Sequence, residues 1–399
     1  MEDRILAALD LGGTRFRAVV AEPDGKGGVA ISGHASLPAR GVQRGQLSDL
    51  SAAAPVIRQA LLTASIEAGA SPHSVAVSIG SDCIRSLSAR GVVGLSSSGG
   101  SVRSEHLESA EQRVRSMGIP FDRVILGCIP VEYCLDERPG LQNPVGMVGA
   151  RLELEAHLIT ASQSSVSAVV RAVSMAGYSA EPLVFGPEAA ARYLLRDGQR
   201  QQGCLLIDIG AESTQYALFY RGRMRQSGVV PVGGNHVTRD VAYGMGLEPE
   251  DAEAHKRRQG LALRSAVVAQ PLHKGPLDET QRSTLAAICE ARQHEILELV
   301  ANGLQWGISR PALAAGIILT GGGARLSGTA ELAEQVFALR ATTLRAPGDD
   351  YADEPDSWAT ALGLAEHALE HDGDLGLPVV RVGEGRLWDN MKRWIGRLV

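Results

Sequence analysis

Two aspartates, each closing an apolar run and each followed two residues later by glycine, are the side chains best placed to do chemistry. Asp10 stands in Ile5-Leu-Ala-Ala-Leu-Asp-Leu-Gly-Gly-Thr14, and Asp208 in Cys204-Leu-Leu-Ile-Asp-Ile-Gly-Ala-Glu-Ser213. Glycine lets backbone N–H groups approach and cradle phosphate oxygens, so Gly12, Gly13 and Gly210 suit a pair of phosphate loops. Asp10 and Asp208 would then each hold Mg2+ through water. Thr14 and Ser213 are candidate hydroxyl donors to phosphate, and Arg15 or Arg17 could add positive charge. A single Asp-x-Gly is equally an ordinary strand-ending turn. A third glycine turn, Thr320-Gly-Gly-Gly-Ala-Arg-Leu-Ser327, joins the pair, and its Gly321, Gly322 and Gly323 would let a purine and ribose lie against backbone. The three together point to a nucleotide site.

The flanking patterns say what must position these loops. Each Asp-x-Gly is followed by a strand-like run, Phe16–Val20 in one case and Tyr216–Phe219 in the other, so the chain echoes itself about half its length apart. Two similar halves facing one another follow. Between the copies the spacing predicts a helix over about 49–69, a strand at Val75–Ile79 and a helix near 164–177, an α/β alternation. Gly91-Val-Val-Gly-Leu, a helical Glu105–Met117, Val124-Ile-Leu and the alternating run Met147–Thr160 read as a separate βαββ-type module, inserted at about 82–161. Past the second loop, helices are expected over Asn235–Met245, Pro249–Arg258 and about 278–306, before the strand leading into the third turn. That strand is expected to open through the glycines into a helix.

With 399 residues, 44% hydrophobic and 21% charged, the chain can bury more than one core, which excludes wholesale disorder and rod-like folds. No apolar stretch reaches the roughly 20 residues of a spanning helix, and the start lacks the basic-then-apolar pattern of a signal peptide. A net charge of -6 argues against broad nucleic-acid binding. Five cysteines without a C-x-x-C spacing predict buried free thiols rather than disulfides or a zinc site. The tail from His371 to Gly385 reads as a tether. Beyond it Leu387, Trp388, Met391, Trp394, Ile395 and Leu398 share one helical face, while Arg386, Lys392, Arg393 and Arg397 sit mostly elsewhere. Position, charge and concentrated tryptophan predict a helix lying in the plane of an anionic lipid surface.

The three glycine motifs, in this order, resemble the two phosphate motifs and the adenosine motif of the actin, sugar-kinase and chaperone superfamily of ATP-binding proteins. Within it, Pro38-Ala-Arg-Gly-Val-Gln-Arg-Gly45, Asn143-Pro-Val-Gly146, His157-Leu-Ile-Thr160, Ile207-Asp-Ile-Gly210, Val230-Pro-Val-Gly-Gly-Asn235, Asp251-Ala-Glu-Ala-His-Lys-Arg-Arg-Gln-Gly260 and Ala315-Gly-Ile-Ile-Leu-Thr-Gly-Gly are similar to FtsA, the actin-like bacterial division family.

The resemblance implies an actin-like α/β fold with two facing duplicated halves and an inserted subdomain in the first. Residues 1–81, 162–199 and 350–370 would form subdomain 1A, 82–161 the inserted 1C, 200–225 and 308–349 2A, and 226–307 2B, with 371–385 a linker and 386–399 the membrane helix. It implies ATP with Mg2+ in the cleft, Arg15 where the family commonly has lysine, Gly234 among the nucleotide contacts, and Glu253 and Lys256 near ribose and adenine. It also implies a scaffold that polymerises head to tail at the septum, on the cytoplasmic face of the inner membrane. That scaffold would bind the FtsZ C-terminal tail through subdomain 2B, with Arg292 a candidate contact, and recruit later division proteins.

The second loop departs from the family's Asp-Ile-Gly-Gly-Gly-Thr. Ala211 would resist a positive φ, Glu212 would bring negative charge towards phosphates unless turned away, and Gln215 stands where a carboxylate usually follows. Reduced nucleotide affinity and at most slow ATP hydrolysis are expected, because no water-activating base stands out. Two alternatives remain. Leu9-Asp-Leu-Gly-Gly-Thr14 also resembles glucokinase-like sugar kinases, though the aspartate base and Cys/His cluster of such enzymes are not found. A PilM-like pilus assembly protein would share the body but have no use for the amphipathic tail.

Overall fold

A computed structural model describes residues 5–25, 28–95, 99–267, 277–305, 312–345 and 358–370; the expected linker 371–385 and membrane helix 386–399 lie outside the described residues. Each Asp-x-Gly run forms the middle strand of a five-stranded sheet. In the first, Leu6–Leu11 pairs antiparallel with Arg15–Pro23, which pairs in turn with Val29–Pro38. On its other side Leu6–Leu11 runs parallel to Ser74–Ile79, and that strand to Ser179–Phe185.

The second sheet repeats the plan. Cys204–Ile209 pairs antiparallel with Thr214–Tyr220 and, through it, with Arg223–Val230; it runs parallel to Gly316–Thr320, followed by Ala341–Thr343. Leu9, Leu205, Leu206 and Ile207 are fully buried. A middle strand covered on both faces reads as a continuous apolar run, which is why these two stand out in the sequence. All five cysteines are free thiols, Cys134 half-buried and the others buried.

Helices cover the sheets where their signals are strong. Leu50–Ala68 begins where the Asp49 carboxylate accepts the Ala52 N–H and ends at Gly69 in the left-handed region. Glu279–Gly303 begins at Asp278 in the same way, its carboxylate accepting from Gln281. The third strand-to-helix junction passes through its glycines in two steps. Gly322–Arg325 is a short 3-10 turn, and the α-helix Thr329–Phe337 starts only after Gly328.

The inserted module is a four-stranded sheet, ordered Arg138–Leu141, Arg123–Leu135, Arg151–Ser162, Ile84–Gly94, with the helix Ser104–Arg115 packed on it. The expected single strand over Met147–Thr160 is broken. Val148–Gly149 pairs with Gly100–Ser101, and Arg151–Ser162 joins the main sheet. The Asp136 carboxylate accepts the N–H groups of Ala150 and Arg151, fixing the bend between them.

This module also leans on the second half. Arg223 donates to the Pro130 carbonyl at 3.1 Å, Arg225 pairs with Glu132 at 3.4 Å, and buried His157 Nε2 lies 2.8 Å from Ser227 Oγ. Burial pulls the His157 pKa down from 6.5 to about 4. The folded chain therefore takes this proton less readily than the unfolded one, so stability is full above pH 6.5 and is lost as the pH falls towards 4. The loss from this group between pH 7 and pH 5 is about 2 kcal/mol. Urea melts should show that loss in the parent and a flatter profile in His157→Asn; identical profiles would remove His157 as the cause.

Candidate functional site

The two halves face each other across a cleft of about 1670 Å³. Both middle strands end at its floor. Asp10 Oδ1 accepts from Ser78 Oγ at 2.8 Å, and Oδ2 lies 3.3 Å from Arg17 Nη1. Duplication would give Asp208 the same support, since Arg17 is opposite Asp10 in register as Gln215 is opposite Asp208. Gln215 carries no charge. Asp208 is half-buried, and its pKa is pushed up to about 7, by desolvation first and then by Asp10, against the opposing effect of Arg17. Two convergent carboxylates, one short of a counterion, form a place where a hydrated divalent cation relieves the electrostatic cost.

The loops above the floor line the same cleft. From the first come Gly12, Gly13, Thr14 and Arg15; from the second Gly210, Ala211, Glu212 and Ser213. Arg15 lines the cleft, where it was expected to contact phosphate. Its guanidinium turns to the third strand, donating to Ser36 Oγ at 2.7 Å and to the Ser36 carbonyl at 3.0 Å, so Arg17 is the arginine beside the carboxylates. Ala211 has no positive φ, so its side chain meets none of the expected left-handed cost. The Glu212 carboxylate is held by Asn235 Nδ2 at 2.7 Å and by Arg239 Nη2 at 2.9 and 3.0 Å.

At the far end the helices Gly234–Met245 and Pro249–Gln259 bring a second group together. Lys256 Nζ donates to the Gly234 carbonyl at 3.1 Å and to Thr238 Oγ1 at 2.8 Å, and pairs with Glu253 at 2.6 Å. Gly322 and Gly323 line the cleft beside them. Gly321 does not; it is packed beneath, against Asp208 and Ile209. Ser78, Thr238, Arg239 and Gln293 also line the cleft without standing out in the sequence. For Thr238 and Arg239 a signal exists: they follow Gly234 and Asn235 by one helical turn and so share their face.

Mg2+ and a nucleotide polyphosphate fit these residues. Gly12 keeps the first loop open, since a methyl group there would lie 2.6 Å from the Arg15 carbonyl. Gln215, Gln259 and Gln293, all lining the cleft, each hold a buried side-chain oxygen with no partner among the described residues. Such acceptors await a donor, from water or a ligand. Arg292 lies apart from the cleft, on the helix Glu279–Gly303. Its guanidinium is already engaged by Asp240, at 2.5 and 3.2 Å, and by Glu295.

Comparison with known proteins matches residues 205–363 to a family model described as "Cell division protein FtsA" and residues 82–160 to "SHS2 domain inserted in FTSA". FtsA of Escherichia coli K12 is 33% identical over 416 aligned positions, covering 99% of this chain and 96% of that protein. FtsA of Neisseria meningitidis is 31% identical, covering 99% and 98%. Among solved structures, a PilM–PilN type IV pilus biogenesis complex aligns with TM-score 0.63 at 18% identity, covering 92% of this chain and 98% of that one. MreB5 of Spiroplasma citri bound to ADP aligns with TM-score 0.53 at 13% identity, covering 93% and 97%. The fold is therefore actin-like, with two mixed sheets and an inserted SHS2 subdomain.

Proposed function

The chain belongs to the FtsA family of cell division proteins, and on that premise we propose that it is an ATP-binding scaffold that polymerises on the cytoplasmic face of the inner membrane at the septum. There it tethers FtsZ filaments and recruits later division proteins. The supporting observation is the meeting of Asp10 and Asp208 beneath two glycine loops that belong to different halves. When bound, Mg2+–ATP supplies a multivalent anion that both loops can grip, favouring a closed body. Lys256, Glu253 and Thr238 orient the ribose and base end, while Asp10 and Asp208 hold the hydrated cation.

Hydrolysis is slow at most on this reading. Asp10 is engaged by Arg17 and Ser78, Glu212 by Asn235 and Arg239, and Gln215 cannot accept a proton at neutral pH. No helix among the described residues is long and apolar enough to cross a membrane. On this reading attachment comes from the amphipathic sequence pattern of 386–399, which lies outside the described residues. One such helix binds reversibly. Copies joined in a polymer bind firmly, because each further attachment is effectively intramolecular.

The FtsZ tail, as an acidic peptide, would exchange places with Asp240 and Glu295 on Arg292. Arg292→Glu should weaken binding of a labelled FtsZ tail peptide by at least about tenfold, on the scale of a lost charge-assisted pair. Fluorescence anisotropy measures this, and unchanged affinity would place docking elsewhere. The wider test is recruitment: FtsZ filaments should collect on anionic vesicles only when the full chain is present.

A further inference from the structure

Glu212 is a residue the nucleotide site does not need, held in place by residues the site does not otherwise use. Its stem lies across the cleft against the first loop, such that a methyl group on Gly13 would sit 3.2 Å from Glu212 Cγ. The Glu212 side chain is 12% exposed, whereas that of Arg239, which grips both carboxylate oxygens, is 59% exposed. Asn235 and Arg239 are four residues apart on the helix Gly234–Met245, so one face of its first turns presents both donors to a single acceptor. The start of that helix also pins the loop itself. The Gly234 and Asn235 N–H groups donate to the Gly210 and Ala211 carbonyls at 2.9 and 2.8 Å. The carboxylate is therefore neither mobile nor remote; it is fixed beside the loop that would receive phosphates.

We propose that Glu212 is a specificity-determining residue that limits how many phosphates the second loop accepts, and that Asn235 and Arg239 set its strength by holding and neutralising it. The inference rests on the nucleotide-site reading above. A fixed negative charge repels a polyanion in proportion to the charge brought near it, so it penalises ATP more than ADP, and ADP more than AMP. Arg239 offsets the penalty without contacting the phosphates, because its guanidinium is committed to Glu212. Repulsion between Glu212 and the phosphate charges is screened by salt, so discrimination between ATP and ADP should be sharper at low ionic strength.

The test is a cycle of affinities for ATP, ADP and AMP, measured by calorimetry on the full chain, with thermal midpoints of the nucleotide-free variants as a check on folding. Glu212→Gln keeps the shape and one acceptor oxygen for Asn235 and Arg239 while removing the charge. It should tighten ATP by about tenfold, ADP by less and AMP hardly at all, as expected for removing one nearby charge. Arg239→Gln should weaken ATP by a similar factor. The double variant should behave as Glu212→Gln alone, because Arg239 acts through Glu212. A full loss on Arg239→Gln in the Glu212→Gln background would mean that Arg239 grips phosphate itself, overturning the proposal. So would equal affinities in parent and Glu212→Gln. If neither binds any of the three nucleotides, the nucleotide-site reading falls and takes this inference with it.

Discussion

Gly321→Ala should destroy the site from beneath, with nucleotide affinity lost by at least about a hundredfold and the folded state weakened by about 3 kcal/mol or more. Gly321 has φ +87° and ψ 164°, a region that essentially only glycine occupies. A methyl group there would lie 2.2 Å from Asp208 Oδ1 and 2.6 Å from the Ile209 carbonyl, both parts of the second loop's base. The backbone must leave its conformation or Asp208 must leave the cleft floor, and either outcome separates the two carboxylates. Its neighbour supplies the control. A methyl group on Gly322 would meet nothing within 4 Å, so Gly322→Ala should melt as the parent does. Thermal melting and nucleotide titration of the two variants, side by side, check the pair.

Ending the chain at Glu384 should abolish membrane attachment while leaving the body folded and its nucleotide affinity unchanged. The removed segment carries Arg386, Lys392, Arg393 and Arg397, each contributing about 1 kcal/mol near an anionic leaflet, besides its apolar face with Trp388 and Trp394. The cost of ordering the segment as a helix on the membrane offsets part of that gain. The vesicle-bound fraction should fall by at least about tenfold on truncation, and uncharged vesicles should bind even the full chain poorly. Binding that survives truncation would place the contact on the body.

How much of this was legible in the sequence follows from where each interaction lies. The duplicated halves were visible because a strand buried on both faces must be continuously apolar, and because a glycine turn follows each aspartate. The helices with strong caps, at Asp49 and Asp278, begin within a residue of expectation. The broken strand at Ala150 was not legible, since the bend is set by Asp136, distant in sequence and silent in the alternation pattern. Arg15 and Arg17 could not be told apart either. They point to the same face of their strand by period, and only the neighbouring Ser36 draws one of them away.

The second loop shows the same limit at the site itself. Ala211 looked strained because the family has glycine there, yet its φ is not positive, so the backbone tolerates a side chain at that point. Glu212 looked hostile to phosphates because its partners lie one helix further on. Asn235 and Arg239 became relevant only when the helix after Gly233 folded back over the loop. Charge in the sequence was readable; which charge neutralises which was not.

Central to the account is that nucleotide in the cleft strengthens membrane attachment through the polymer. Co-sedimentation with anionic vesicles, with and without ATP and Mg2+, tests it most directly, using the full chain, the chain ending at Glu384 and Gly321→Ala. The account predicts that ATP raises the pelleted fraction of the full chain, leaves the truncated chain in solution, and does nothing for Gly321→Ala, which keeps only the weak binding of single copies. Equal pelleting of the full chain with and without ATP, under conditions where it binds ATP, would contradict it.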